Sequence, residues 1–258
     1  MSELLASRHD ATLVLTLSDP SSRNAVHPDM FAAAVETLTT AERDDTIRAV
    51  VLTGADRYFS SGGHLKKLLE QQTQNQAAQT ALIDGLRGWV EAIRDCPKPV
   101  VAAIEGGAVG AGFSLALACD LIVAGASARF AMSYVNIALT PDGGASWQLA
   151  RALPRQLAAE MLLTGQAMSA ERLHEIGIVN RIVMDGQALG EALRWADRLA
   201  TLPAYAVDRI KLLLREASDN TLAKQFEAER FHFIESLNHP DAREGMTAFL
   251  DKRKPLYR

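Results

Sequence analysis

The sequence predicts an α/β fold, and three observations support this class. Strand-like and helix-like segments alternate through the first two-thirds of the chain. Two strand segments, IRAVVLTG and VVAAIEG, are rich in β-branched and apolar residues, as expected of strands buried on both faces of a sheet. The last third is amphipathic with a helical period. The alternation is typical of α/β domains, and the helical end predicts a cap or an assembly region.

The first half of the chain begins with TLVLTL (residues 12–17), whose alternating pattern predicts a half-buried strand. Pro28 opens a helical pattern. Proline is favoured where a helix starts, so it supports a helix at this place. A buried strand follows over residues 47–54, and then a long amphipathic stretch reaches Cys96. The glutamine-rich middle of that stretch, EQQTQNQAAQ, is expected to be exposed. VVAAIEG is the second buried strand.

The second half continues with a glycine-rich turn, GGAVGAG, a short apolar helix, FSLALACD, and the strands LIVAGA and ARFAM. From Trp147 the pattern is mainly helical, and SAERLHEIG has Ser169 as an N-cap and Gly177 at its end. VNRIV predicts one last strand. We therefore predict a core over residues 1–195 and a helical region over residues 196–258.

Composition excludes several classes of protein. The 258 residues carry a formal net charge of −4, so there is no basic field for nucleic acid or for an anionic membrane. The two cysteines show neither metal-ligand spacing nor a disulfide framework. Such cysteine usage suits a reducing compartment. The longest nearly apolar run, residues 106–119, is shorter than the roughly 20 residues of a membrane helix. The N-terminal pattern predicts no export signal. We expect a soluble cytoplasmic protein that binds neither nucleic acid nor membrane.

Two junctions between a buried strand and a helix contain loops of small residues, FSSGGHL and GGAVGAG. Helix N-termini offer free N–H groups to an anion or a developing oxyanion, and glycine lets a ligand approach the backbone. Close packing of helix on strand is the alternative explanation for each loop. Neither loop has the pattern of a phosphate loop or of a dinucleotide-binding turn. Two such loops in one domain favour a shared ligand.

A hydrolase is a competing hypothesis at the same place. Residues 112–116, GFSLA, approximate the nucleophile elbow, and Asp142 and His174 follow Ser114 in the order of an α/β-hydrolase triad. The elbow requires its serine at the sharp turn, whereas the glycine loop here precedes Ser114 and places it within the helix. The pattern therefore disfavours this hypothesis.

These segments, taken together, resemble the crotonase (enoyl-CoA hydratase/isomerase) superfamily almost from end to end. SDPSSRNAV resembles its N-x-P-x-x-x-N-A segment, VVLTGADRYFSSGGHL its first oxyanion loop, and KPVVAAIEGGAVGAGFSLALACDLIVAGASARFAM its second. LLTGQAMSAERLHEIGIVNRIV and EGMTAFLDKR resemble its later landmarks. Each match is weak alone, but the order and spacing of the set are specific.

The resemblance implies a spiral of ββα units with a C-terminal helical region that forms trimers, often as a dimer of trimers. It implies an acyl-CoA thioester as ligand and no further cofactor or metal, since coenzyme A is part of the substrate. The thioester carbonyl would lie between two backbone N–H groups, which map onto Gly63 and Ala111. Such donors stabilise an enolate, and the loss of one typically costs about 2.7–4 kcal/mol.

The sequence departs from the family at the two hydratase glutamates. One falls at Ser114, and the other, in the strand after ARFAM, falls at Tyr134. Neither hydroxyl is a competent base near neutral pH without help, so simple hydration of a 2-enoyl-CoA is disfavoured.

Asp142, in LTPDGGASW, occupies a position where relatives that are not hydratases carry a lone acid. The resemblance is greatest to the 1,2-epoxyphenylacetyl-CoA isomerase type, which also shifts enoyl-CoA double bonds. The resemblance therefore implies that Asp142 is the general acid–base of an isomerase, with a pKa raised by burial in the acyl pocket. A turn or helix N-cap is the alternative role for this residue.

Further substrate contacts follow from the matched positions, each with a structural alternative. His64 could touch the thioester or simply be a polar residue in the first turn of a helix. Arg23 and Ala25 match positions that border the CoA nucleotide, while Arg23 could also be a solvated charge. Phe249 and Lys252 match a C-terminal pair that meets adenine and phosphates, or they pack as ordinary amphipathic residues. The candidates for substrate and CoA binding are Arg23, Ala25, Ser61, Gly62, His64, Leu65, Gly110, Phe249 and Lys252.

Three functions are compatible with the sequence. The leading hypothesis is an acyl-CoA isomerase, which shifts a double bond or rearranges an epoxide. The second is another crotonase reaction, either hydration or nucleophilic attack by the aspartate on an aryl-CoA, for which His64 is the candidate helper. The third is a CoA-binding or scaffolding protein that has lost its catalytic glutamates.

Overall fold

The computed structural model describes residues 2–257, which contain nine β-strands and eleven α-helices. The strands are β1 (Glu3–His9), β2 (Thr12–Ser18), β3 (Ala49–Gly54), β4 (Val100–Ile104), β5 (Gly107–Val109), β6 (Leu121–Gly125), β7 (Arg129–Ala131), β8 (Met168–Ser169) and β9 (Arg181–Val183). The helices are α1 (Asp29–Arg43), α2 (Leu65–Gln72), α3 (Gln76–Asp95), α4 (Ala111–Ala118), α5 (Ala145–Ala152), α6 (Arg155–Thr164), α7 (Ala170–Glu175), α8 (Ala188–Ala200), α9 (Ala204–Ala217), α10 (Leu222–Asn238) and α11 (Pro240–Leu250). The α/β prediction is confirmed.

The larger sheet has six strands in the order β1-β2-β3-β4-β6-β9. β1 pairs with β2 as an antiparallel hairpin, and every other pair is parallel. Alternate residues of β3 enter different clusters: Val50 and Leu52 join the main core, while Ala49 and Val51 lie in a second cluster under α8. Both faces of this sheet are therefore covered, which explains the continuous apolar runs in its strands.

The smaller sheet has three strands in the order β5-β7-β8. Isolated bridges pair Val26 with Gly63 and Ser60 with Ala108, so its edge continues through the loops that follow β2 and β3. A strand of the large sheet, a strand of the small sheet and a helix thus succeed one another, as in β4–β5–α4. This arrangement confirms the spiral of ββα units.

Asn24 holds the connection after β2 in place. It is fully buried with φ +57°, in the left-handed region that asparagine tolerates better than most residues. Its side-chain NH₂ donates to the carbonyls of Ala55 (2.8 Å) and Tyr58 (2.6 Å), and its Oδ1 accepts from the Asp19 N–H. The buried polar groups of two loops are satisfied by one side chain, which joins the Arg23–Val26 segment to the loop after β3.

The C-terminal helices pack on one another and leave large apolar side chains exposed. α9 packs against α10, and α10 against α11. No residue of α9 is buried. Position 195 lies inside α8, which packs on the large sheet, and the division into residues 1–195 and 196–258 stays a prediction.

Three details differ from the sequence-based expectations. β1 was not predicted, because its sequence, ELLASRH, alternates weakly and lies on the exposed side of the hairpin. The glutamine-rich stretch is exposed as expected, but it spans the end of α2 and the start of α3. Tyr134 does not lie in a strand, because the chain turns into a 3-10 helix at Ser133–Ile137 directly after β7.

No helix within residues 2–257 has the length and apolar character needed to cross a bilayer.

Candidate active site

The first glycine loop, residues 60–64, is fixed by hydrogen bonds to the segment after β2. The Ser60 hydroxyl donates to the Asn24 carbonyl at 2.8 Å, and the Gly62 N–H donates to Ser60 Oγ at 3.2 Å. The Gly62 carbonyl accepts from the Val26 N–H at 2.7 Å. Within residues 2–257 the Gly63 N–H has no acceptor. The loop is therefore held rigidly while one of its donors stays free.

The second loop follows β5 and ends at the start of α4. Gly110 has φ +50° and its N–H donates to the Ala131 carbonyl at 2.8 Å. Ala111 is the first residue of α4, so its N–H lacks an intrahelical partner. It finds no other acceptor in the described part of the chain, although Ala111 is 4% exposed. A buried free N–H is costly, which points to a ligand as its partner.

The two loops touch each other at their glycines. A Cβ on Gly62, which has φ +100°, would lie 2.8 Å from the Val109 carbonyl oxygen and 3.7 Å from the Gly110 Cα. Gly63 and Ala111 each follow directly after these touching glycines. The geometry thus places the two free donors on adjoining backbone segments, as an oxyanion hole requires.

Asp142 is not a helix cap. The N-cap of α5 is Gly144 with no side-chain cap bond, whereas the Asp142 carboxylate accepts the Tyr134 hydroxyl at 2.6 Å. Burial raises the pKa of Asp142 above its usual range, and the hydrogen bonds from Tyr134 and from its own backbone N–H oppose that rise. The helix N-cap alternative is wrong, but Asp142 does form a turn, because its carbonyl accepts the Ala145 N–H at 3.1 Å. Its carboxylate is buried with a raised pKa, which makes it a candidate base.

Tyr134 and Ser114 complete the cluster. The Ser114 hydroxyl lies 3.2 Å from the Asp142 carbonyl oxygen, 3.3 Å from the Gly110 carbonyl oxygen and 3.4 Å from the Tyr134 hydroxyl. The ring of Tyr134 packs over Gly110, where an added Cβ would meet its Cζ at 3.7 Å. Burial and the neighbouring Asp142 carboxylate raise the pKa of Tyr134, so the phenol stays protonated near neutral pH. The sequence marked both positions only as missing glutamates, and their contact with Asp142 was not predicted.

The hydrolase hypothesis has no geometric support. The contacts of the Ser114 hydroxyl are two carbonyls and a phenol, and none is an imidazole. His174 Nδ1 is bonded to the Val179 carbonyl at 2.7 Å instead. Ser114 lies inside α4, as the sequence predicted, so it is not at an exposed turn.

The remaining candidates of the first loop lie around its rim. His64 is the N-cap of α2, accepting the Lys67 N–H at 3.4 Å, and its ring lies edge-on to His27. Leu65 is 54% exposed at the first position of α2. The Ser61 hydroxyl donates to the Ser22 carbonyl at 2.6 Å. His64 thus caps α2, and its contact with the thioester stays a prediction, while Ser61 bonds the loop to the segment after β2.

The candidates for coenzyme A contact fall into two groups. Arg23 has φ +55°, its guanidinium lies 5.6 Å from the Tyr58 ring centroid, and its carbonyl accepts the Ser61 N–H. Ala25 is buried, and its N–H donates to Ser22 Oγ. Phe249, 83% exposed at the end of α11, and Lys252, just beyond it, lie on the C-terminal helices. The first group adjoins the first loop, and the second belongs to the helical region.

Two cavities lie away from this cluster. One, of about 410 Å³, lies at the opposite end of α4 and is lined by Trp147 with Arg94 and Arg151 stacked on its ring. The other, of about 630 Å³, lies between α9 and α10. Within residues 2–257 the only group of three or more His, Cys, Asp or Glu side chains close enough to share a metal ion is His9, Asp10 and Asp197, all exposed.

A family-wide sequence profile described as enoyl-CoA hydratase/isomerase matches residues 7–258 of the chain. The chain belongs to this family. A 1,2-epoxyphenylacetyl-CoA isomerase of Escherichia coli K12 is 35% identical over 258 residues, covering 100% of this chain and 98% of the relative. A 2,3-dehydroadipyl-CoA hydratase of the same strain is 32% identical over 259 residues, covering 100% of this chain and 99% of the relative.

Solved structures of the enoyl-CoA hydratase/isomerase family have the same fold. A crystal structure of an enoyl-CoA hydratase from Polaromonas sp. JS666 superimposes with a TM-score of 0.98 and 48% identity, covering 99% of this chain and 100% of that one. The chain is thus an enzyme of a family that acts on acyl-CoA thioesters, and its relatives include both isomerases and hydratases.

Replacing Gly62 by alanine should destabilise this loop. We expect Gly62→Ala to lower the free energy of unfolding by about 1–3 kcal/mol, because φ +100° is strained for alanine and the new Cβ would meet a backbone oxygen at 2.8 Å. Urea denaturation measures the difference. In the matched variant Gly88→Ala, within α3, the new Cβ meets only Val35 at 3.9 Å, and stability should rise by about 0.5–1 kcal/mol. Equal stabilities for the two variants would contradict the assigned geometry.

Proposed function

We propose that the protein is an acyl-CoA isomerase, in which Asp142 moves a proton within the substrate and the Gly63 and Ala111 N–H groups bind the thioester oxygen. One observation carries the proposal: a buried carboxylate of raised pKa lies beside the second glycine loop, and its side-chain partner is the Tyr134 hydroxyl. Among the described residues, no charged side chain shifts the pKa of Asp142. A lone base at such a site suits proton abstraction next to a carbonyl.

The proposed reaction begins with the thioester carbonyl between the two free N–H groups. Asp142 removes a proton from the α carbon, and the electron pair of that C–H bond passes into an enolate whose negative oxygen the two donors stabilise. The protonated Asp142 then returns the proton to the γ carbon, and the double bond moves into conjugation with the carbonyl. The substrate brings its own coenzyme A, and this scheme requires no other cofactor and no metal.

Hydration is the less supported reaction. It requires one group to activate water and another to handle the α proton, and family hydratases divide these tasks between two glutamates. Here those positions hold Ser114 and Tyr134, and the raised pKa of Tyr134 keeps its hydroxyl protonated. The 35% identity to an isomerase and the 32% identity to a hydratase differ too little to decide between the reactions.

An aspartate nucleophile acting on an aryl-CoA is the second candidate reaction. Such a mechanism would call on His64 as helper, and this residue caps α2 instead. A scaffold without activity would bind CoA esters and leave every enoyl-CoA unchanged. We propose that Arg23 and Ala25 border the bound nucleotide and that Phe249 and Lys252 of a neighbouring subunit contact it.

Replacing Asp142 by asparagine should abolish isomerisation of a 3-enoyl-CoA to the 2-enoyl form. We expect a fall of about 10²- to 10⁴-fold in kcat, since asparagine cannot accept the α proton. In the unchanged protein kcat/KM should fall as the pH drops through the raised pKa of Asp142, because the carboxylate is the active form. Product analysis by liquid chromatography measures both effects.

The matched control for this variant is Asp45→Asn, an exposed aspartate in the turn after α1, which should leave turnover unchanged. Addition of water to a 2-enoyl-CoA that survives Asp142→Asn would contradict the proposal and favour a hydratase. If the unchanged protein binds but never converts 2-enoyl, 3-enoyl or epoxide esters, the scaffold alternative holds.

Replacing Ala111 by proline should remove one oxyanion donor while keeping α4. Proline is tolerated at the first helical position, where the N–H is unpaired in any case. We expect Ala111→Pro to lower kcat by about 10²- to 10³-fold. Gln76→Pro, at the equivalent position of the exposed α3 N-terminus, is the control and should retain activity. Similar activities of the two variants would exclude the Ala111 N–H from catalysis.

We also propose that the chain forms a homotrimer or a dimer of trimers through its C-terminal helices. These helices expose apolar side chains that water would solvate poorly. They include Ile210, Leu214, Leu222, Phe226, Phe231, Phe233, Ile234 and Leu237. Sedimentation equilibrium should give three or six times the chain mass of 27.9 kDa, and a mass of one chain would contradict this assembly.

A further inference from the structure

The carboxylate of Asp142 is held by a phenol at a position where family hydratases carry a glutamate. We propose that Tyr134 is a positioning residue for Asp142: its hydroxyl fixes Oδ1, leaves Oδ2 to exchange the proton with the substrate, and stabilises the carboxylate form of the buried base. This inference rests on the proposed isomerase function and concerns the same site.

The contact geometry supports a fixed arrangement. The Tyr134 hydroxyl donates to Asp142 Oδ1 at 2.6 Å, which is short for an O–H···O bond and typical of a charged acceptor. The phenol itself is held on two sides, by packing over Gly110 and by the Ser114 hydroxyl at 3.4 Å. Tyr134 therefore joins the second oxyanion loop, α4 and the base in one packed unit.

Few groups act on the charge of Asp142, so the effect of Tyr134 can be isolated. α4 contributes Ser114, and α3 contributes Leu86, which adjoins Gly143, and neither side chain titrates near neutral pH. Tyr134, from the 3-10 helix, is the single titratable side chain within residues 2–257 that shifts the pKa of Asp142. Burial raises that pKa, and the Tyr134 hydrogen bond lowers it.

The opposing effects of burial and of the Tyr134 hydrogen bond on Asp142 matter for the proposed reaction. Burial without a donor favours the protonated form of a carboxyl group, and that form cannot accept the α proton. A donor on Oδ1 restores the carboxylate while Oδ2 stays available. When Oδ2 has taken the proton, the bond from Tyr134 loses its charged acceptor and weakens, so return of the proton to the γ carbon restores it. The phenol keeps its own proton throughout, because its pKa is raised.

The test is Tyr134→Phe, which keeps the ring over Gly110 and removes the hydroxyl. The pKa of Asp142 is measured by carbon NMR of aspartate carboxyl groups, with Asp142→Asn identifying the signal. We expect Tyr134→Phe to raise this pKa by about 1–2 units, the usual worth of a hydrogen bond to a charged group. The acid limb of kcat/KM for a 3-enoyl-CoA should move upward by the same amount.

Tyr205→Phe is the matched control, since the Tyr205 hydroxyl also donates to a carboxylate, that of Glu235, but on the C-terminal helices. It should leave the Asp142 signal and the pH profile unchanged. An Asp142 pKa that is the same in Tyr134→Phe as in the unchanged protein would overturn the inference. A raised pKa in a protein without isomerase activity would support the Tyr134 contact and count against the proposed function, because the NMR titration requires no turnover.

Discussion

The whole site depends on the close approach of two backbone turns. Gly62 stands so near the Val109 carbonyl that no side chain fits between them, and both Gly62 and Gly110 have positive φ. Bridges from Val26 to Gly63 and from Ser60 to Ala108 hold these turns in one small sheet. Because the turns are braced by the fold, the free N–H groups of Gly63 and Ala111 are held in fixed positions, as the proposed oxyanion hole would require.

Asp142, the proposed base, is positioned by the same framework. The chain leaves β7, forms one 3-10 helix and enters α5 through a turn at Asp142. Within this short path Tyr134 packs over Gly110 and bonds Asp142, so the second glycine loop and the carboxylate share a neighbour. Tyr134 thus links the position of the Asp142 carboxylate to the loop that carries the Ala111 N–H.

The sequence predicted most of the fold because the buried strands and the capped helices carry strong local patterns. The two strands before the glycine loops, the placement of Ser114 in a helix and the Ser169 N-cap are all confirmed. β1 was missed, because an exposed hairpin strand needs little apolar patterning. The bond between Tyr134 and Asp142 could not be predicted either, since it joins residues across an irregular turn whose course no local propensity specifies.

Ser114 and Tyr134 carry hydroxyl groups where family hydratases carry carboxylates, and this changes the chemistry open to Asp142. A second carboxylate nearby would raise the pKa of its neighbour by repulsion, and the pair would divide acid and base tasks between them. With Ser114 and Tyr134 in those places, burial and hydrogen bonding alone set the charge of Asp142. In the proposed isomerisation Asp142 would act first as base and afterwards as acid. That sequence suits a proton returned to the same substrate, because no second group is needed to activate water.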